Sequence, residues 1–176
     1  MATENFGQES ATGSDGQIGT NVFAIGPFSP AHDGSVVSFG IRAFCAFADT
    51  RLTMGLYADS SGSPGALLAH SVSVNQPSVS GLVTTLNING SYTITAGTNY
   101  WIAGHAAADS QPKTQTGQTG KHIKYKADST AQGSMVDPFP SSPNDLSGYT
   151  YTMFVTYTVA SSSSSRRRRL LCGGFA

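Results

Sequence analysis

The sequence predicts an all-β fold, two antiparallel sheets packed as a sandwich, and three features carry that expectation. Apolar and polar residues alternate in segment after segment with the two-residue period of half-buried strands. Clusters of Gly, Pro, Asn, Asp and Ser stand between those segments and turn the chain. Helix-forming filler is scarce: 11% of the 176 residues are charged, against roughly 25% in ordinary soluble domains, and no stretch carries an amphipathic helical pattern.

Taken in order, residues 1–20 are rich in Gly, Ser, Thr and Gln, with Phe6 and Ile18 as their apolar anchors. They read as an extended polar arm or an irregular first strand. Asn21 to Ile25 is a strand, broken by Gly26-Pro27, and His32-Asp33-Gly34 is a turn. From Val36 to Phe47, Val37, Phe39, Ile41, Ala43 and Cys45 share one parity while Ser38, Gly40 and Arg42 share the other, the pattern of a long half-buried strand. Asp49-Thr50-Arg51 reads as its hairpin connection to the strand of Leu52, Met54 and Leu56. Asp59 to Gly65 ends that strand, because Gly tolerates positive φ, Pro fixes its own φ, and Asp and Ser bond back to nearby backbone.

Leu67 and Leu68 restart an apolar segment, Ser71 to Val74 reads as a short strand, and Leu82, Thr84, Leu86 and Ile88 share a parity. Asn89-Gly90 before Tyr92 and Ile94 is a hairpin signal. Thr95 to Thr98 is a further turn before the strand from Tyr100 to Ala106, which holds the single tryptophan, Trp101. Residues 107–120 read as a polar loop, Lys121 to Lys126 as an alternating strand, and residues 128–148, with Pro138, Pro140 and Pro143, as a long loop. Tyr149 to Val159 closes the domain with Tyr151, Met153, Val155 and Tyr157 on one face. About eight to ten strands at this spacing suit a sandwich. The division is an arm or first strand over 1–20, the sandwich over 21–159, and a Ser linker with an Arg-rich tail over 160–176.

Formal charge is zero but unevenly placed: residues 1–160 hold six Lys/Arg against ten Asp/Glu, and Arg166, Arg167, Arg168 and Arg169 supply the balance. The body therefore lacks the broad basic face that a nucleic-acid duplex requires, and nucleic acid is not the expected partner. Cys45 lies in an apolar run and Cys172 in the tail, too few cysteines for a disulfide scaffold. The first residues lack the basic-then-apolar order of a signal peptide, and no apolar run is long enough for a membrane span.

Catalysis and metal binding find little support. There is no G-x-S-x-G, the two glutamates Glu4 and Glu9 both lie in the N-terminal stretch, and Asp33, Asp49 and Asp59 stand where turns call for Asp. His32, His70, His105 and His122 are dispersed, and the Asp59 turn offers a calcium ion one carboxylate. No cofactor is expected and the chain is read as a non-enzyme. Sugar binding needs exposed rings beside polar groups. Tyr57, Tyr92, Tyr125, Tyr149 and Tyr151 are available, Trp101 reads as core, and Tyr125 between Lys124 and Lys126 is the preferred glycan contact.

Several of these segments carry a resemblance. Leu56, Tyr57 and Asp59 fit an L-Y-x-D strand end, and Gly62, Pro64, Gly65, Leu67, Leu68 and Ala69 fit a G-x-P-G-x-L-L-A turn. Gly97, Tyr100, Trp101 and Ile102 fit an L-x-x-G-x-x-Y-W-[IL] strand in which Ile94 replaces the usual Leu. Over roughly residues 5–159 the chain resembles a β-sandwich module of bacterial, archaeal and phage surface or structural proteins. The resemblance implies a jelly-roll-like, carbohydrate-binding-like sandwich and brings no shared catalytic set.

The expected role is a structural or surface module of a multi-subunit particle, a phage or virus virion protein made in the host cytoplasm. Its partners would be further copies of itself or a particle shell protein. The arms at both ends would make the contacts, with Arg166 to Arg169 on an acidic neighbouring face and Leu170, Leu171 and Phe175 in a groove. The tail also reads as a merely solvated charge run. The alternative role is a carbohydrate-binding or adhesion module.

Overall fold

A computed structural model of the chain describes residues 1–10, 13, 21–44, 51–75, 83–106, 111, 112, 114–127 and 134–160. The expectations for Cys45, for the Asp49-Thr50 turn and for the whole tail from Ser161, including Arg166 to Phe175, lie outside these residues. The described residues form fifteen strand segments and no helix. They are β1 (Thr3–Gln8), β2 (Asn21–Phe28), β3 (Gly34–Phe44), β4 (Arg51–Asp59), β5 (Pro64–Ser71), β6 (Val74–Asn75), β7 (Val83–Asn89), β8 (Thr93–Ile94), β9 (Tyr100–Ala106), β10 (Gln111–Pro112), β11 (Thr114–Thr116), β12 (His122–Ala127), β13 (Asn144–Ser147), β14 (Tyr149–Tyr151) and β15 (Met153–Val159).

The fold is antiparallel and all-β. Hydrogen-bonded neighbours run β1-β15-β3-β7-β5-β4-β9-β2-β12-β13, with β6, β8 and β10 as short additions, and β11 pairs with β14 in a small second sheet. The long sheet curls. Its narrow join is the β5–β7 ladder, two residue pairs linking His70 to Asn89 and Ser71 to Ile88. The parts on either side of that join share one core. Phe6 of β1 packs its ring against Tyr100 of β9 at 6.1 Å and against Tyr157 of β15 at 5.9 Å. Phe23, Ile25, Phe39, Ile41, Leu56, Leu86, Ile102, Met153 and Val155 belong to the same buried cluster.

The most apolar strand takes the most enclosed place. Every residue of β9 is buried, because the middle of the sheet is covered on both faces. Tyr100, Ile102 and Ala106 enter the main core. Trp101 and Ala103 point the other way, into a second cluster with Val22, Ala24, Tyr57 and Phe139. A run of apolar residues without alternation is what double burial asks of a strand.

Parity reads well along β7 and β15: Leu86 is buried between exposed Thr85 and Asn87, and Met153, Val155 and Tyr157 are buried between half-exposed Phe154, Thr156 and Thr158. Along β3 it fails at one residue. Thr156 pairs with Ser38 but the adjacent Tyr157 pairs with Val36. Val37 is thus the extra residue of a β-bulge, 41% exposed, and Val36 takes the inward place.

Two expected hairpins are corrected. β3 and β4 are not neighbours, so they do not form the hairpin expected of them. Gly90 has the positive φ of a turn, +90°, yet β7 and β8 both lie along β3, so the chain detours and continues instead of doubling back. Other corrections concern length. Ser71 ends β5 and the next pairing is the two-residue β6. The stretch read as a loop over 107–120 contributes β10 and β11, and that over 128–148 contributes β13. At the N-terminus, residues 3–8 take the strand form, paired with β15 from Thr3 to Gln8.

Tyr151 shows how the core couples to pH. Its ring meets Phe23 edge-on at 5.6 Å, and burial, with Tyr125 nearby, pushes its hydroxyl from 10.0 up to about 12. The folded protein therefore keeps a proton that the unfolded chain releases, so stability falls as pH rises from about 10 towards 12. The expected loss through this group is roughly 2–3 kcal/mol. Tyr151→Phe should make the alkaline decline shallower in urea titrations at stepped pH; an unchanged slope would contradict the assignment.

Candidate functional site

Two turns that punctuate the sequence meet at one end of the molecule. β4 and β9 pair from Leu52 with Ala106 to Ala58 with Tyr100, so the turn after β4 and the turn before β9 lie side by side. In the first, Ser60 and Ser63 exchange backbone hydrogen bonds and Gly62 sits at φ +81°. In the second, Thr98 N donates to Thr95 O at 3.2 Å and Gly97 sits at φ +71°, where a side chain would be strained.

Between them lies an open cleft of about 380 Å³. Ala58, Leu68 and the Tyr92 and Tyr100 rings give it an apolar floor and wall, and Asp59, Thr98 and Asn99 give it a polar rim. Tyr100 is 4% exposed. Its hydroxyl oxygen accepts from Thr95 N at 3.1 Å and so keeps its own proton to donate. Tyr92 is half-buried, and burial together with the nearby Tyr100 raises its hydroxyl above the usual value. Asp59 is fixed from beneath: Oδ1 accepts from Trp101 Nε1 at 2.7 Å and Oδ2 from Gly62 N at 3.3 Å. Among the described residues, the Thr98 and Asn99 side chains have no hydrogen-bond partner.

Behind the cleft, the outer face of β4, β9 and β2 is closed by a strap, residues 134–140. Phe139 packs edge-on against Tyr57 at 5.4 Å, and Met135 packs beside it. Phe139 N donates to Gly65 O at 2.9 Å and Leu67 N donates to Asp137 Oδ1 at 2.9 Å. Tyr57 donates to Val136 O, and His105 Nδ1 donates to Ser134 O at 2.8 Å. Gly55 makes the fit: a Cβ there would stand 2.9 Å from the Met135 methyl carbon. Tyr57 and Trp101 are thus covered packing residues with no exposed surface.

The sequence-selected glycan contact is not assembled as one surface. Alternation along β12 puts Tyr125 on the face opposite Lys124 and Lys126, and Tyr125 is half-buried against the main core. Lys124 Nζ holds Asp145 Oδ2 at 2.6 Å, and Lys126 Nζ donates to Ser141 O. His122 Nδ1 also reaches Asp145 Oδ1, at 2.9 Å. Burial works to raise the Asp145 carboxyl, but the hydrogen bonds from Lys124 and His122 outweigh it and hold the group below its usual value. Of the other tyrosines, Tyr151 is buried and Tyr149 is 42% exposed. No group of three or more His, Cys, Asp or Glu converges among the described residues. No helix among them is long and apolar enough to cross a membrane.

No protein-family model matches the chain, and no curated protein matches it.

Proposed function

We propose that the chain is a jelly-roll-like β-sandwich module, non-enzymatic, that acts as a structural or surface subunit of a multi-subunit particle such as a phage or virus virion. The two layers would be β1-β15-β3-β7 and β5-β4-β9-β2-β12-β13, and the ring contact of Phe6 with Tyr100 across the core supports that division. The observation that carries the assembly role is the open end of the sheet at β13. All four residues, Asn144–Ser147, are exposed, with Leu146 at 42% and the adjacent Tyr149 also at 42%. β13 pairs with β12 on one side and with no strand on the other among the described residues.

An uncovered edge carrying an apolar side chain is a template for pairing with another chain. In this reading β13 meets a further copy or a shell protein, and Arg166, Arg167, Arg168, Arg169, Leu170, Leu171 and Phe175 add a basic and apolar tail contact. The full-length protein is expected to form regular oligomers in electron micrographs and sedimentation. Leu146→Lys, which places a charge on the edge, should weaken self-association about tenfold or more. A full-length protein that stays monomeric at high concentration, or an assembly indifferent to Leu146→Lys, would overturn the edge role.

A further inference from the structure

We propose that the cleft between the Asp59 and Thr95–Asn99 turns binds a neutral saccharide unit. This site is separate from the β13 edge, and the inference does not depend on the assembly reading.

The size is right for a small ligand, since about 380 Å³ falls at the lower end of the roughly 300–1,000 Å³ of ligand sites. The chemistry points to a hydroxyl-rich ring. A sugar presents an apolar C–H face and a rim of hydroxyls that each donate and accept. The cleft offers the complement of both. The half-buried Tyr92 ring and Leu68 form a surface for the C–H face. Around it stand an acceptor-only group, the Asp59 carboxylate, a mixed group, the Asn99 amide, and the hydroxyls of Thr98 and Tyr92.

Two features indicate a prepared site. Asp59 is held in place by the indole N–H of a fully buried Trp101, so ordering it costs little on binding. The Asn99 and Thr98 side chains stand at the rim with their hydrogen-bonding capacity unused within the described protein. A cation, the other ligand that a carboxylate beside aromatic rings can take, would find a single carboxylate already accepting two N–H groups. The amide and hydroxyls at the rim both donate and accept, which matches the hydroxyls of a sugar group for group.

The test uses the full-length protein against an array of neutral glycans ending in glucose, galactose, mannose or N-acetylglucosamine, with hits followed by saturation-transfer NMR and calorimetry. At least one such glycan should bind. Asn99→Ala should weaken it about tenfold, with an unchanged circular dichroism spectrum because Asn99 is exposed. Tyr92→Phe should weaken it several-fold while keeping the ring. Choline serves as the cationic probe, with Asp59→Asn as its variant. No binding anywhere on the array overturns the proposal. So does glycan binding that ignores both Asn99→Ala and Tyr92→Phe, or binding of choline alone that Asp59→Asn abolishes.

Discussion

Trp101→Ala is expected to cost about 3–5 kcal/mol of stability, the range for emptying a large aromatic side chain from a core. The upper half of that range is the better expectation here. The indole is fully buried and tightly enclosed: a Cβ built on Gly26 would lie 3.0 Å from the ring, so the neighbouring strand already stands as close as its backbone allows. The substitution also takes the Nε1–H from Asp59, which leaves a part-buried carboxylate short of a partner. Trp101→Phe separates the two effects. It keeps most of the apolar volume and loses the donor, and should cost about 1–2 kcal/mol.

Urea unfolding followed by far-ultraviolet circular dichroism gives both numbers, since the protein loses its only tryptophan signal in either variant. The cavity would also remove the floor beneath Phe139, which shares the Trp101 cluster. Limited proteolysis should therefore cut the 134–140 strap faster in Trp101→Ala than in the native protein. A loss below about 1 kcal/mol would mean that the site collapses around the missing ring, and that the second cluster is not a packed layer.

Those two clusters mark where sequence patterning is informative and where it stops. The burial of Trp101 follows from the unbroken apolar run Tyr100-Trp101-Ile102-Ala103, and strand period alone places Leu86, Met153, Val155 and Tyr157 inside. Period cannot register an inserted residue, which is why Val37 reads as inward although the bulge turns it out. Nor does it decide pairing partners. Asn89-Gly90 supplies a turn conformation, but β3 offers both flanking segments the same edge, and ladder pairing outweighs the local preference.

The strap illustrates a different gap. Prolines at 138, 140 and 143 indicate a loop, and residues 134–143 take no regular strand form. The available signal was the presence of Met135 and Phe139 among polar neighbours, since a loop that carries large apolar side chains must cover something. The cleft was half legible. Both of its turns are evident in the sequence, and Tyr92 counts among the candidate aromatics. Their adjacency comes from the seven-residue β4–β9 register between positions more than forty apart in the chain, which no local pattern encodes. Lys124, Tyr125 and Lys126 are different: the strand period of Lys121 to Lys126 already divides them in the sequence, with Tyr125 beside Ile123 on one face and the two lysines on the other.

Phe6→Ala carries the other large expected effect, and its form follows from topology. Among the described residues β1 is the end strand of the sheet and pairs with β15 alone. Its one buried side chain is Phe6, 6% exposed, set between the rings of Tyr100 and Tyr157. Truncation should cost about 3–4 kcal/mol in that slot, but an edge strand with one anchor can leave without unfolding its neighbours. The loss should therefore appear locally. Amide exchange over residues 3–8 should accelerate by about two to three orders of magnitude, at roughly 1.4 kcal/mol per decade, while the global urea midpoint moves less.

A second fastening sets the pH dependence of the same strand. Glu4 accepts from His32 Nδ1 at 2.9 Å and from the Tyr157 hydroxyl at 2.7 Å. The His32 hydrogen bond first, and then that of Tyr157, hold its carboxyl below the usual 4.5. With the folded value depressed, the contribution is present above the unfolded value and fades as acid protonates Glu4 in the folded state. Exchange over residues 3–8 should thus quicken, relative to intrinsic rates, below about pH 4.5, and more readily in Phe6→Ala, where the apolar anchor no longer holds the strand. Unchanged protection of β1 in the variant at neutral pH would show that backbone pairing with β15 suffices, and that Phe6 fills space without fastening the strand.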